Sequence, residues 1–200
     1  MLGLLMPIGK TDIARFNKAK AAMKRAEYAP HASRGLRDAR KLLKPLVEKN
    51  IPEAQYLAAS FALADEFESD AAFNKWRYQL IHKAAELGYA PAQFVLGQAY
   101  GQYGDLEHDA EKSAYWFSLS AEQAYPPGQW EHGLNLFAKD EALGITFIRK
   151  AAENKYEGAL QFIADAYEKG KFGFPKDPQL ATFWREKLQD DDVIRYWDYP

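Results

Sequence analysis

The chain has 200 residues, of which 48% are hydrophobic and 14% aromatic, so it is long and apolar enough to bury a core in one domain or at most two. Its 26 Lys and Arg residues nearly balance 28 Asp and Glu residues, and the net charge of −2 argues against bulk binding of nucleic acid or of an anionic membrane. The lack of cysteine excludes disulfides, thiolate metal sites and thiol nucleophiles.

Charge is distributed unevenly along the chain. Residues 1–50 carry 12 basic and 4 acidic side chains, a net of +8, whereas residues 51–200 carry 14 and 24, a net of −10. This polarity can steer an oppositely charged partner or favour head-to-tail association, and solvated helix faces also produce it.

The first eight residues are apolar, but no basic residue precedes them and no small-residue cleavage pattern follows. They therefore predict no signal peptide and a cytoplasmic protein, with a periplasmic location as the alternative if a signal has been trimmed. No apolar run approaches the roughly 20 residues that span a bilayer, so no membrane insertion is expected.

Helical periodicity covers most of the chain, and no alternating strand pattern competes with it. Helices are predicted near residues 12–28, 33–49, 53–66, 71–87, 91–101, 109–124, 127–138, 140–154, 157–169 and 177–188. Pro45 lies inside the second of these and predicts a kink there.

A short phrase recurs in which a small-residue pair and a turn precede an apolar run. Its clearest copy spans residues 84–97, further copies span 120–130 and 151–160, and a degenerate copy spans 46–55. The small residues that open the second helices, Ala54, Ala92, Gly128 and Ala159, are separated by 38, 36 and 31 residues. Such periods are typical of helix-pair repeats.

A second phrase places an Asp before a small residue at four positions on and an aromatic residue at seven. Its copies are Asp109, Ser113 and Trp116; Asp140, Gly144 and Phe147; and Asp177, Ala181 and Trp184. We expect the Asp to cap the first turn of a helix and the small residue to allow a close helix crossing. Trp116, Trp130 and Trp184 are predicted to belong to the core.

These phrases resemble the Sel-one-like repeat, a relative of the tetratricopeptide repeat, over residues 46–188 and most strongly from residue 80 onward. The resemblance implies an all-α, right-handed alpha-alpha superhelix, or solenoid, whose concave side is lined mainly by the first helices of the pairs and docks proteins or peptides. Residues 1–45 are then expected to form helices that cap the solenoid, and residues 189–200 a C-terminal tail.

Three places depart from the family's pattern. Phe172 intervenes in the loop of residues 168–177, the turn from Phe137 to Asp140 is short, and Leu80 occupies an expected aromatic position, with Trp76 eight residues before Ala84. We expect local irregularity at each.

Groove residues are predicted one position before and two positions after each aromatic position of the second phrase. This rule selects Gln79, His82, Tyr115, Ser118, Thr146, Arg149, Phe183 and Glu186, and Tyr78 joins them as an expected exposed aromatic anchor. The alternative is that they form an ordinary solvated helix face.

No pattern predicts catalysis or a cofactor. The four histidines are dispersed and none has a second ligand at helical spacing, no nucleophile elbow occurs, and Gly101 to Gly104 lacks the Lys-Ser/Thr continuation of a phosphate loop. The aromatic tail from Tyr196 to Tyr199 is expected to cover the last helix, or else to project as a partner-binding segment.

The sequence therefore predicts a bacterial-type adaptor or scaffold that binds another protein or peptide and is not an enzyme. The alternative is an immunity or inhibitor protein that neutralises a toxin or enzyme by direct binding. The oligomeric state is left open.

Overall fold

The computed structural model describes residues 8–27, 32–63 and 65–195, and this part of the chain is almost entirely helical. It contains α1 (Lys10–Glu27), α2 (Ala32–Glu48), α3 (Pro52–Ala59), α4 (Asp70–Glu86), α5 (Ala90–Ala99), α6 (Ala110–Glu122), α7 (Pro126–Phe137), α8 (Glu141–Glu153), α9 (Glu157–Lys169), α10 (Pro178–Glu186) and a 3₁₀ turn (Lys187–Gln189). The predicted all-α class is confirmed, and nine of the ten helices have bounds within two residues of those expected.

The exception is α3, which ends at Ala59 rather than near residue 66. The guanidinium of Arg40, on α2, donates to the carbonyl oxygens of Ala58 and Phe61, each at 2.8 Å. It also pairs with Glu66 at 2.9 Å and lies over the rings of Phe61 and Trp76, at 4.4 and 4.6 Å from their centroids. Arg40 thus satisfies carbonyl oxygens at and after the end of α3, and residues 60–63 and 65–69 form an irregular connection.

The helix α2 continues through Pro45 to Glu48. The proline lies in its last turn, where the missing amide costs a single intrahelical hydrogen bond, and the Pro45 carbonyl still accepts from the amide of Lys49 at 3.3 Å.

The chain divides into two compact units, residues 1–92 and residues 93–200. In the first unit, α1 packs on α2, α2 on α3, and α3 on α4. In the second, α6 packs on α7, α7 on α8, α8 on α9, and α9 on α10. Each unit therefore consists of sequential neighbours, as in a helical-repeat protein.

The predicted Asp caps are confirmed. One carboxylate oxygen of Asp109, Asp140 and Asp177 accepts from the backbone amide three residues later, at 3.0 Å in each case. All three residues have an extended backbone with φ between −147° and −141°. We call α6, α8 and α10, which these residues begin, the capped helices.

In α6 and α8, the large side chain that is buried lies one position beyond the expected aromatic residue. Phe117 and Ile148 are buried, whereas Trp116, Phe147 and Trp184 are only half-buried, as is Trp130 on α7. The small residue lies at the closest helix crossing, and a side chain four residues later is nearer to its face than one three residues later. The expectation that the tryptophans are core residues is therefore only partly met.

The short turn between α7 and α8 depends on Gly144. A Cβ there would lie 2.5 Å from the backbone nitrogen and Cα of Phe137 and 2.8 Å from the carbonyl oxygen of Gly133. Only a residue without a side chain lets the start of α8 approach the end of α7 this closely.

Four equivalent turns, after α2, α4, α6 and α8, end a helix with a residue at positive φ. Asn50, Gly88, Ala124 and Lys155 have φ of 55°, 86°, 59° and 61°. In each turn the next amide donates to the carbonyl five residues back, as from Tyr156 to Ala151 at 2.9 Å. This is the Schellman arrangement that satisfies the last carbonyls of a helix.

Residues 190–195 pack against the turn between α8 and α9. Val193 is buried, Ile194 forms an isolated parallel bridge with Tyr156, and the ammonium of Lys155 pairs with Asp190 and Asp192. The segment from Tyr196 to Tyr199, for which a capping or projecting role was predicted, lies outside the described residues.

Candidate protein-binding surface

The capped helices present equivalent sides because their caps and small residues are equivalent. Positions four and eight after the capping Asp face the neighbouring helices, as at Ser113 and Phe117 in α6 and at Gly144 and Ile148 in α8. Both α6 and α8 pack on α7, and both α8 and α10 pack on α9. The side of each capped helix that does not pack on these neighbours therefore lies at an equivalent place in each repeat of the second unit.

Large apolar side chains are exposed on these opposite sides. Tyr115 and Phe183 lie six residues after their capping Asp and are 56% and 48% exposed. Leu143 and Leu180 lie three residues after theirs and are 43% and 38% exposed. We call this surface, Tyr115, Leu143, Thr146, Leu180 and Phe183, the capped-helix face.

Two of the predicted groove residues, Tyr115 and Phe183, are therefore exposed aromatics on one recurring face. The leucines were missed, although a signal for them exists in the sequence. Each stands three residues after a capping Asp, in a first turn whose buried side begins one residue later. An apolar residue at that position predicts surface exposure.

The predicted polar groove residues differ in their exposure and in whether their side chains already bond within the chain. Thr146 is exposed, but its hydroxyl donates to the carbonyl of Ala142 at 3.0 Å, and the half-buried Ser118 hydroxyl donates to Tyr115 at 2.7 Å. Arg149 is half-buried and lies over the ring of Phe174 at 4.9 Å, so part of its surface serves packing. Glu186 is exposed at the end of α10.

In the first unit, the predicted exposure of Tyr78 is wrong. Tyr78 is 8% exposed, and the guanidinium of Arg77 lies 5.2 Å from its ring centroid. The spacing rule did not select this residue, and α4 buries the side on which it lies, together with Ile81 and Ala85. Of the two residues that the rule did select on α4, Gln79 is exposed and His82 is half-buried.

Lysines border the aromatic residues of the capped helices. The ammonium of Lys150 lies 4.9 Å from the ring centroid of Phe147, and that of Lys187 lies 4.7 Å from Phe183. Lys112 pairs with Asp109 at 2.9 Å, and its backbone amide and ammonium hold the pKa of Asp109 below its ordinary value. The face thus combines apolar surface with positive charge.

An ion cluster joins α9 and α10 beside this face. The Arg185 guanidinium pairs with Glu168 and, at 3.2 Å, with Asp165. Its hydrogen bond lowers the pKa of Glu168, and it also lowers the pKa of Asp165 although burial acts in the opposite direction. Both carboxylates are therefore ionised at neutral pH and serve to hold the two helices together.

A second aromatic group lies on α7, α9 and the loop that follows α9. Phe162 and Phe172 stack with ring centroids 5.3 Å apart, and Phe137 meets both rings edge-on. Phe172 has a φ of 57°, which a residue with a side chain rarely adopts, and its ring is partly exposed. The departure from the family's loop pattern at Phe172 thus places an aromatic ring on the surface.

The titratable groups of α7 have shifted pKa values because of burial. Burial raises the pKa of Glu131, and it lowers the pKa of His132 against the opposing charge of Glu122. The His132 ring packs edge-on against Phe147 at 4.7 Å, which accounts for its burial.

Within residues 8–27, 32–63 and 65–195, no group of three or more acidic or histidine side chains is arranged to hold a metal ion. Over the same residues, no helix is long and apolar enough to cross a bilayer.

Comparison with known proteins identifies the repeat. The family model for the Sel1 repeat matches residues 90–125, 128–156 and 159–187. The chain therefore carries three Sel1 repeats, which confirms the resemblance found in the sequence.

Solved structures share the fold. A Sel1 repeat protein from Oxalobacter formigenes matches with a TM-score of 0.72 at 19% identity, over 92% of this chain and 72% of that one. A protective antigen with an SLR fold from uropathogenic Escherichia coli matches with a TM-score of 0.68 at 21% identity, over 88% and 37%. An immunity protein from Pseudomonas aeruginosa matches with a TM-score of 0.53 at 17% identity, over 98% and 89%.

The matched residues also set the phase of the repeats. They pair α5 with α6, α7 with α8 and α9 with α10, so the capped helix is the second helix of each repeat. The sequence-based prediction treated the capped helices as the first of their pairs, and that assignment is wrong. The aromatic group of Phe137, Phe162 and Phe172 belongs to first helices and the loop after one of them.

Proposed function

We propose that this chain is a protein-binding module, an adaptor or scaffold, and that its partner docks on the capped-helix face. The observation that carries the proposal is that each capped helix exposes at least one large apolar side chain at one of two equivalent positions, Leu143 and Leu180 at the first and Tyr115 and Phe183 at the second. Exposed apolar groups that recur along a repeat array form a continuous surface, and aromatic anchors on such surfaces commonly dominate binding energy.

The same surface supports a binding role rather than catalysis. Several of its titratable neighbours are tied into ion pairs, as are Lys112 with Asp109 and Arg185 with Glu168. Groups held in this way stabilise the capped helices rather than act on a substrate.

The test is partner capture with the full chain as bait. We expect a Tyr115→Ala/Phe183→Ala variant to lose at least about tenfold in affinity for the natural partner, because each substitution removes an aromatic anchor. Affinity purification from the native host with cross-linking identifies the partner, and titration calorimetry with the purified partner gives the affinity.

The matched control is Tyr103→Ala, since Tyr103 is 93% exposed, lies in the connection between α5 and α6 and is not part of the capped-helix face. It should bind like the unchanged chain. Full affinity in the double variant would contradict the proposed face, and loss of binding in Phe172→Ala instead would assign the partner to the aromatic group of the first helices.

The specific alternative is an immunity protein that neutralises a toxin or enzyme by direct binding. It is favoured by the similarity to the Pseudomonas aeruginosa immunity protein, which extends over nearly the full length of both chains. Expression of this chain should then rescue host cells from a toxin encoded beside its gene, whereas a scaffold would give no protection. The cytoplasmic location stays a prediction that fractionation of host cells tests.

A further inference from the structure

We propose a second docking site, in the first unit and separate from the capped-helix face. The groove between α1 and α2 receives an acidic segment of a protein partner that carries both carboxylates and apolar side chains.

The groove has a volume of about 630 Å³ and is lined by Lys18, Ala21, Ala22, Arg25, Asp38, Lys41 and Leu42. Its α1 side follows a helical stripe, from Lys18 through the two alanines to Arg25, which spans about 10 Å along the axis. Leu42 and the alanines form an apolar floor, and the alanines are small enough for an incoming backbone to approach closely.

Three cations border this floor against one carboxylate. Lys18, Arg25 and Lys41 form no ion pair with any other described residue. By contrast, three other cations of this basic region are already paired, Arg37 with Asp65, Arg40 with Glu66 and Lys49 with Asp12. The groove therefore keeps a positive rim that a partner's carboxylates would complement.

The charge of the whole chain argues for a short protein segment rather than a nucleic acid. Residues 1–50 carry a net charge of +8, but residues 51–200 carry −10 and repel a long polyanion. The carboxylates of an acidic segment would pair with the cations of the rim while its apolar side chains pack on the floor, as in helix-in-groove recognition.

The experiment measures fluorescence anisotropy of a labelled helical peptide of about 14 residues, four turns, with Glu on one face and Leu on the other. Added to the full chain, this peptide should bind, and a version with Lys in place of Glu should bind at least about tenfold more weakly. The affinity for the acidic peptide should fall as salt rises from about 50 to about 500 mM.

The decisive variant is Lys18→Glu/Arg25→Glu/Lys41→Glu, which should abolish peptide binding. Its control, Lys10→Glu/Lys24→Glu/Lys44→Glu, changes the net charge equally on the same two helices but outside the groove lining. Ala21→Trp keeps all charges and fills the floor, so it should also block the peptide. Circular dichroism and melting confirm that each variant is folded.

Equal loss of binding in both triple variants would overturn the proposal, because long-range attraction would then suffice. Tighter binding of a short DNA duplex through the same three cations would overturn it in favour of nucleic acid, and charge-dependent self-association in sedimentation would assign the groove to a second copy. Tyr115→Ala/Phe183→Ala should leave peptide binding unchanged, so the two sites fail independently.

Discussion

Residues 93–195 form their helix junctions from contacts that recur, whereas the connection after α3 in the first unit contacts two arginines of α2, the enclosed Arg40 and the exposed Arg37. Each capped helix begins with an Asp whose carboxylate meets the amide three residues on. In the first unit, α4 begins with Ser69, and the connection before it contacts Arg40 of α2. The caps depend on groups within three residues of one another, whereas the connection depends on contacts between residues distant in sequence, of which those of Arg40 are the most enclosed.

The largest expected effect is therefore at Arg40. Arg40→Ala leaves the carbonyls of Ala58 and Phe61 and the carboxylate of Glu66 without their partner, and should lower the free energy of unfolding by about 4 kcal/mol. Arg37→Ala is the control, since the Arg37–Asp65 pair is exposed and should contribute less than about 1 kcal/mol. Denaturant unfolding measures both, and hydrogen exchange should rise most in residues 52–76.

The second unit has a point of close backbone approach at the turn between α7 and α8. Gly144→Ala would place a methyl group 2.5 Å from the backbone of Phe137, and should cost about 3 kcal/mol. Gly158→Ala is the control, because its nearest atom would lie 3.3 Å away and an alanine favours the helix. A loss of under about 1 kcal/mol at Gly144 would mean that this turn is not held by close approach.

The turns that end α4 and α6 allow a reciprocal pair of substitutions, one in each unit. Gly88 and Ala124 occupy the same positive-φ position, but only the glycine adopts it without strain. Ala124→Gly should raise the free energy of unfolding by about 1 kcal/mol, and Gly88→Ala should lower it by about the same amount. Thermal melts of the two variants should shift in opposite directions, and a shift of the same sign would contradict the equivalence of the turns.

The units also differ in the hydrogen bonds of a buried glutamine near the start of α3, α5 and α7. The second unit pairs Gln93 with Gln123 at 2.6 Å and Gln129 with Asn154 at 2.9 Å, so each glutamine meets the residue that ends the next capped helix. Leu87 ends α4 and offers no such group, and the side-chain oxygen of the fully buried Gln55 has no partner among the described residues.

The smallest effect is predicted from this difference. Gln55→Leu removes an unpaired buried oxygen, but also the bond that the Gln55 amide nitrogen donates to Oδ1 of Asn50 at 3.2 Å. It should therefore raise the free energy of unfolding only slightly, by less than about 1 kcal/mol, as the equivalent Leu160 already fills its site with an apolar side chain. Gln129→Leu loses the bond to Asn154 and should give a smaller gain or a loss. Thermal melts of both single variants at one pH provide the comparison.

Part of the candidate site was visible in the sequence. The spacing rule found Tyr115 and Phe183, because their distance from a capping Asp sets the side of the helix on which they lie. It missed Leu143 and Leu180, and Tyr78 was wrongly added as an exposed anchor. The phase of the pairs could not be read from the two phrases alone, since both phrases recur with the same period and neither marks where a repeat begins.

The sequence by itself determined the all-α class, most helix bounds, the Asp caps and the family, because these depend on groups within a few residues of one another along the backbone. Tertiary structure decided that Phe117 rather than Trp116 is buried, that α3 ends at Ala59, and that Arg40 is enclosed, whereas the cations of the groove between α1 and α2 pair with none of the described residues. The reason is distance: the partners of these side chains lie 18 or more residues away in sequence, or in another helix, and only packing brings them together.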